Sequence, residues 1–290
     1  MENILLISDL DGTLLDKSQR ISRKNRDAVR TFKQLGGKFT LATGRIEDSV
    51  APYIEQLEID IPVILYNGAK IYCPQRKQEL YHNQLTIERE LWDCFFEMIS
   101  DDTAMLVFRN GKAYSLQHSA LMKAIEQKDG IRCLEFSKET LAEPVTKLMF
   151  VSSNPGKLES LEQKIRSSKM PCETVYSEHN YLEVLPILTS KGAAIEELVR
   201  MMQLEHHKIV AIGDHLNDLD MIQRADMGCA VANAHPRLKE AADFIAAHHE
   251  RHAVASVIHE LFRTSNGRAT RGGLTDGLFA NGKTNCTRNR

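Results

Sequence analysis

Ile4-Leu5-Leu6-Ile7-Ser8 runs directly into Asp9-Leu10-Asp11-Gly12-Thr13. An apolar run of Ile and Leu closed by a glycine turn reads as a buried parallel strand, and open α/β sheets bind ligands at the carboxyl ends of such strands. Asp9 and Asp11, two apart, point to the same side in extended backbone, and Gly12 lets the chain turn away sharply. Two like charges held together need a cation or a proton. A hard divalent cation such as Mg²⁺ takes oxygen ligands and leaves room for water and phosphate, so the pair suits metal-assisted phosphoryl chemistry. Alone, the same residues also suit a solvated turn, since Asp and Gly are common in turns anywhere. Later strands that end in the same way weigh against that plainer reading.

The first of these is Lys38-Phe39-Thr40-Leu41-Ala42. It follows a crossover helix expected over Arg23 to Leu35, with Ala28, Val29, Phe32 and Leu35 at helical spacing and Gly36-Gly37 as its stop. The strand ends in Thr43-Gly44-Arg45: a hydroxyl, an amide open to close approach and a guanidinium suited to phosphate oxygens. Thr43 as the N-cap of the next helix is the competing reading, and a helix N-terminus is itself an anion site. Pro62 to Tyr66 ends in Asn67-Gly68-Ala69, which on its own is as well explained by a tight turn, with a hairpin over Ala69 to Tyr81. Thr189-Ser190-Lys191-Gly192 opens a helix running through Met202, and a lysine there works against the helix dipole. Lys208 to Ile212 ends in Gly213-Asp214-His215-Leu216-Asn217-Asp218. Asp214 and Asp218 at that spacing suit one metal ligand and one carboxylate supporting it, with Asn217 as a neutral hydrogen-bonding partner. The twelve-residue calcium-loop pattern is absent.

Between roughly 84 and 184 the pattern changes to mixed helices and antiparallel strands, including a hairpin around Asn110-Gly111 and a strand pair over Glu173 to Ser177 and Tyr181 to Val184. None of its strands ends in Asp or Gly as the flanking ones do. The expected organisation is therefore a discontinuous core, 1–83 and 185–263, with an α+β insert at 84–184. Arg109, Lys112, Tyr114, His118 and Arg132 lie on the insert, where charges and aromatics usually serve surface or core, and none is assigned to the site. From Thr264 to Arg290 the chain is polar, basic and rich in Gly and Asn, as expected of a disordered tail.

With 290 residues, 42% hydrophobic and 26% charged, the chain can bury one sizeable core or two smaller ones. A formal charge of −2 and a pI near 6.6 supply no field to recruit nucleic acid or an acidic membrane surface. Six cysteines form no C-x-x-C pair, which argues against a zinc site or a disulfide framework and for thiols in a reducing cytoplasm. No apolar run reaches the roughly 18 residues of a membrane span, and no signal peptide is visible.

Asp-Leu-Asp-Gly-Thr-Leu-Leu-Asp from Asp9 resembles the first motif of the haloacid dehalogenase superfamily, Mg²⁺-dependent phosphatases and mutases working through an aspartyl-phosphate. The Asn-Gly-Ala strand end, Ser-Lys-Gly opening a helix, and Gly-Asp-x-x-Asn-Asp-x-x-Met through Met221 are similar to its Cof-like branch. The resemblance covers residues 3 to 262. It implies a Rossmann-like, doubly wound parallel core with an inserted α+β cap that selects the substrate. It further implies Asp9 as nucleophile and Asp11 as general acid and base, beginning neutral, a state favoured by a like-charged neighbour. Mg²⁺ would be held by Asp9, the Asp11 backbone carbonyl and Asp214, with Asp218 behind them. Thr43, Gly44, Arg45, Asn67, Lys191 and Asn217 would bind phosphate or substrate, Lys191 also neutralising the nucleophile. The implied substrate is a small phosphorylated metabolite of the sugar phosphate, pyridoxal phosphate or flavin-precursor type. A phosphomutase and a catalytically silent phosphate-binding or regulatory protein are the alternatives. One departure is His248-His249-Glu250-Arg251-His252, where the family often has an Asp-Gly turn; its spacing suits a surface cluster better than a metal site.

Overall fold

The computed structural model describes residues 1–269. Its centre is a parallel five-stranded sheet ordered Phe244–Ala246, Met227–Val231, Lys208–Gly213, Ile4–Ser8 and Lys38–Leu41. Every side chain of Ile4–Ser8 is buried, because helices cover both faces of such a sheet and leave no polar side for the pattern to show. Register places the residues after each strand. Ser8 pairs with Ile212 on one side and Leu41 on the other, so three strands end level and deliver Asp9, Thr43 and Asp214 to one edge. Ala42 then bridges Ile64 in parallel, tying on an antiparallel sheet of Val63–Leu65, Lys70–Cys73 and Gln78–His82.

The insert carries a six-stranded sheet ordered Cys172–Glu178, Tyr181–Pro186, Lys147–Ser152, Thr103–Arg109, Lys112–Ser115 and Cys133–Glu135. All its pairings are antiparallel except the last. Strand alternation sorts its residues. Met105, Val107, Leu148, Phe150, Leu182 and Val184 turn toward a separate core with Trp92, Phe95, Leu158 and Leu161. Ala104, Leu106, Phe108, Met149, Val151 and Tyr181 turn the other way and join the main core. Lys147 and Glu183 share that second face by the same period of two.

Several boundaries differ from expectation. The strand Tyr181–Pro186 runs past 184 and pairs wholly with strands of the insert, ending at Pro186. The strand Cys133–Glu135 was not anticipated, being a short edge strand with little alternation. The helix Arg23–Gln34 stops before Leu35, which is 51% exposed rather than buried. The last helix spans Ala253–Ala269 and so enters the stretch expected to be a disordered tail; the rest of that stretch, 270–290, lies outside the described residues. No helix among the described residues is long and apolar enough to cross a membrane.

Candidate active site

Asp9 lies at the end of the first strand, 5% exposed. Its Oδ1 accepts a 2.6 Å hydrogen bond from Lys191 Nζ, and the same ammonium donates at 2.6 Å to Asp218 Oδ1. Lys191 and Asp218 are both fully buried. The conflict seen at the start of the helix Lys191–Met201 is thereby resolved, since the lysine serves two carboxylates while Ser190 caps the helix by accepting from the Ala193 amide. The second oxygen of Asp218 accepts from the amides of Asp214 and His215, at 2.8 and 3.1 Å. With both oxygens engaged, Asp218 supports the loop and the lysine. Asp214 accepts from the Thr13 hydroxyl, 3.2 Å away. Gly12 has φ +71°, and a Cβ there would sit 2.4 Å from Asp214 Oδ2, so only glycine permits this approach.

Asp9, Asp214 and Asp218 each offer an oxygen, all within 4.8 Å of one another. One ammonium stands among these carboxylates, leaving an excess of negative charge that a divalent cation would balance, and oxygen donors are what a hard cation takes. The electrostatics agree. Burial pushes Asp9 up to about 7 despite the pull of Lys191, with Asp218 and Asp11 adding to the rise. Burial, Asp9 and Asp218 raise Asp214 well above the carboxylate range. Burial opposes the charge on Lys191, but Asp218 and Asp9 outweigh it and raise its pKa.

Three readings need correction. Asp11 is not governed by a like-charged neighbour. Arg45 grips it with Nε to Oδ2 and Nη2 to Oδ1, both at 2.8 Å, and although burial works upward, that guanidinium lowers its pKa below the usual value. Asp11 therefore rests ionised. Arg45 in turn is not free for phosphate: besides Asp11 it holds Gln19 and stacks over the Tyr53 ring, its carbon 5.4 Å from the ring centre. Nor is Thr43 a helix cap. The helix Glu47–Gln56 begins later, after Ile46, and buried Thr43 Oγ1 accepts from the Arg45 amide at 3.2 Å.

Asn67 is brought close to the same edge, its amide bonded to the Thr43 carbonyl and its Oδ1 accepting from Asn217 Nδ2 at 3.0 Å. The buried atoms Asn67 Nδ2 and Asn217 Oδ1 have no partner among the described residues, and a phosphate oxygen would satisfy the former. An ideal Cβ on Gly44 would lie 3.1 Å from Asn67 Nδ2, which puts this amide beside the Thr43-Gly44 loop.

A cleft enclosing about 620 Å³, part of it open to solvent, joins this edge to the insert. Asp9, Asp11, Gly44, Arg45, Asp214 and Asn217 line its floor. The opposite wall comes from insert residues that the sequence did not single out, chiefly Lys147, Glu183, Asp129 and Tyr181. Lys147 Nζ donates to Glu183 Oε2 at 2.7 Å and, across to the core, to the Gly44 carbonyl at 2.8 Å. A signal for three of them exists: Lys147 and Glu183 are charges inside otherwise apolar strands, and Asp129 is an acid at a helix C-terminus, against the dipole. The insert residues left unassigned lie elsewhere. Arg109 is buried against Glu143 and backbone carbonyls, and Lys112 pairs with Asp48 on the surface. In the histidine cluster, His249 bonds the Leu15 carbonyl and His252 the Ser22 hydroxyl, as structural ties.

The haloacid dehalogenase-like hydrolase family model matches residues 6–258. Among curated relatives, the 5-amino-6-(5-phospho-D-ribitylamino)uracil phosphatase YwtE of Bacillus subtilis is 29% identical over 286 residues, covering 87% of this chain and 96% of its own. Phosphatase YwpJ of the same organism is 27% identical over 285 residues, covering 89% and 99%. A crystal structure of a haloacid dehalogenase-like hydrolase from Bacteroides thetaiotaomicron superposes with a TM-score of 0.76 at 26% identity, over 90% of this chain and all of the other.

Proposed function

The chain belongs to the haloacid dehalogenase-like hydrolases, and from that premise we propose that it is a Mg²⁺-dependent phosphatase of small phosphomonoesters that forms an aspartyl-phosphate on Asp9. The observation that carries the reading is the buried knot of Asp9, Lys191, Asp218 and Asp214 at the sheet edge, open to a cleft of small-molecule size. Asp9, Asp214 and the Asp11 carbonyl would hold the cation, which when bound offsets charge on the phosphate oxygens. Lys191 orients the Asp9 carboxylate for attack on phosphorus. The side-chain amide of Asn67 and the loop at Thr43-Gly44 receive the phosphate oxygens, and Asn217 orients Asn67.

Asp11 gives a proton to the leaving alcohol, then takes one from the water that cleaves the aspartyl-phosphate. Because Arg45 holds Asp11 ionised at rest, Asp11 must first take that proton from solvent as the phosphate arrives; an anion close by raises its affinity for it. The insert serves as a cap, closing over the substrate and excluding water. Free thiols at all five described cysteines accord with a reducing cytoplasm as its location.

The test is release of inorganic phosphate from a panel of sugar, pyridoxal and flavin-precursor phosphates, the last chosen because of YwtE. Release that requires both Mg²⁺ and Asp9 supports the reading. Phosphate transferred between positions of one substrate, with none released, would point to a mutase instead, and binding without either reaction to a silent binder.

A further inference from the structure

The charges lining the cleft can be paired off one at a time. Arg45 meets Asp11, Lys147 meets Glu183, Lys128 meets Glu178, and Lys191 meets Asp9. Asp214 faces the place where a divalent cation fits. One carboxylate in the lining is left. Asp129, the last residue of the helix Ala120–Asp129, makes no side-chain hydrogen bond and no ion pair within 4 Å among the described residues, and it sits on the insert wall across from Asp11.

Lys128 and Arg45 pull toward a carboxylate there, but neither bonds it and burial outweighs both. Asp129 stands at the negative end of its helix. Its own backbone carbonyl already occupies Arg45 Nη1 at 3.4 Å, so the nearest guanidinium is committed to other oxygens. Lys128, its neighbour in sequence, is turned to Glu178 and lies over the Tyr181 ring, 4.2 Å from its centre. Burial outweighs the pull of Lys128 and Arg45 and, with Asp11 and Glu178 adding to it, pushes Asp129 up to about 7, so it gains from any donor placed before it. Beside it the Tyr181 phenol also lacks a partner among the described residues, and Lys147 is consumed by Glu183 and the Gly44 carbonyl.

We propose that Asp129 is the specificity-determining residue of the cleft, taking hydrogen bonds from hydroxyl or ammonium groups of the leaving alcohol and rejecting leaving groups that carry a second anion. The inference rests on the phosphatase reading and narrows its substrates to phosphate monoesters of neutral or aminated polyols. With phosphorus fixed at Asp9, the leaving alcohol lies against the insert wall. Above pH about 7, where Asp129 is ionised, a carboxylate or second phosphate there meets it where the described cations are already engaged, and like charges desolvated together repel strongly.

The experiment, run about one unit or more above the Asp129 pKa of about 7, compares kcat/KM for glucose 6-phosphate, glucosamine 6-phosphate and 6-phosphogluconate in the wild type and in Asp129→Asn and Asp129→Ala, each checked for an unchanged melting temperature. Wild type should disfavour 6-phosphogluconate against glucose 6-phosphate by about tenfold or more, a modest share of the repulsion between close charges. Asp129→Asn should shrink that gap and erase any advantage of the amine, mainly through KM, while Asp129→Ala should also weaken the neutral sugar. Equal turnover of the acid and neutral sugars by the wild type overturns the proposal, as do variants that slow all three substrates in the same proportion. Absence of phosphate release from every ester in the presence of Mg²⁺ is a separate outcome, which removes the phosphatase reading itself and this proposal with it.

Discussion

Arg45 and Asp11 are joined by a two-pronged ion pair, both bonds 2.8 Å, between the loops that end two adjacent strands. Planar pairing of this kind fixes orientation as well as charge. It holds the proposed acid in its ionised form and sets the direction in which that acid must titrate.

Arg45→Met removes the attraction that lowers the Asp11 pKa, leaving burial to raise it. A raised pKa keeps the acid protonated to higher pH, so the alkaline limb of the kcat profile should move upward by about one unit or more, the usual size of an adjacent-charge effect. The check is a pH–rate profile of variant and wild type on one substrate; a limb that stays in place separates Asp11 from the proton transfer. Arg45→Lys, which keeps charge and loses the fork, should fall between the two.

Lys191→Met leaves Asp9 and Asp218 buried without their ammonium. Breaking a buried pair on one side costs about 3–5 kcal/mol, so the variant should melt far below wild type in chelator. Mg²⁺ should return part of the loss, because the cation meets the same carboxylates. Thermal denaturation with and without Mg²⁺ reads both effects. A variant as stable as wild type in chelator would mean that the knot is not strained by its charges.

Lys147 and Glu183 form a second buried pair, and Lys147 also reaches the Gly44 carbonyl. Glu183→Leu alone should destabilise by about 3–5 kcal/mol by stranding the lysine, while the double variant Lys147→Met with Glu183→Leu should recover most of that. The double variant should nonetheless show a raised KM, since it alone loses the tie from Lys147 to the phosphate loop. Denaturant melts and steady-state kinetics on both variants and wild type test it. A wild-type KM in the double variant would show that the tie has no bearing on substrate.

Much of this arrangement was legible because the sheet is parallel and its strands end level. Ser8, Leu41 and Ile212 stand side by side, so the residues just beyond each strand, Asp9, Thr43 and Asp214, must share one edge. Lys191 was legible for a different reason: it offends the helix dipole, and a partner resolves that conflict. Residues that depend on contacts between separate loops were not. That Arg45 turns to Asp11, rather than outward to phosphate, is decided by how two loops pack, which no spacing encodes. Lys147 and Glu183 carry a signal of their own, a charge on a strand that is otherwise largely apolar, and alternation alone assigns them to the face opposite Leu148 and Val184. The extent of the strand across 184 was not legible, because it continues to Pro186 and its apolar pattern resembles the parallel strand Lys208–Gly213.

The covalent step at Asp9 is tested most directly by mass spectrometry of its peptide after rapid acid quench of the enzyme turning over a phosphomonoester with Mg²⁺. The expected result is a peptide heavier by one phosphoryl group, with the modification on Asp9, absent without substrate and absent in Asp9→Asn, which also releases no phosphate. An unmodified peptide at every quench time, together with an Asp9→Asn variant that still releases phosphate at the wild-type rate, would contradict it.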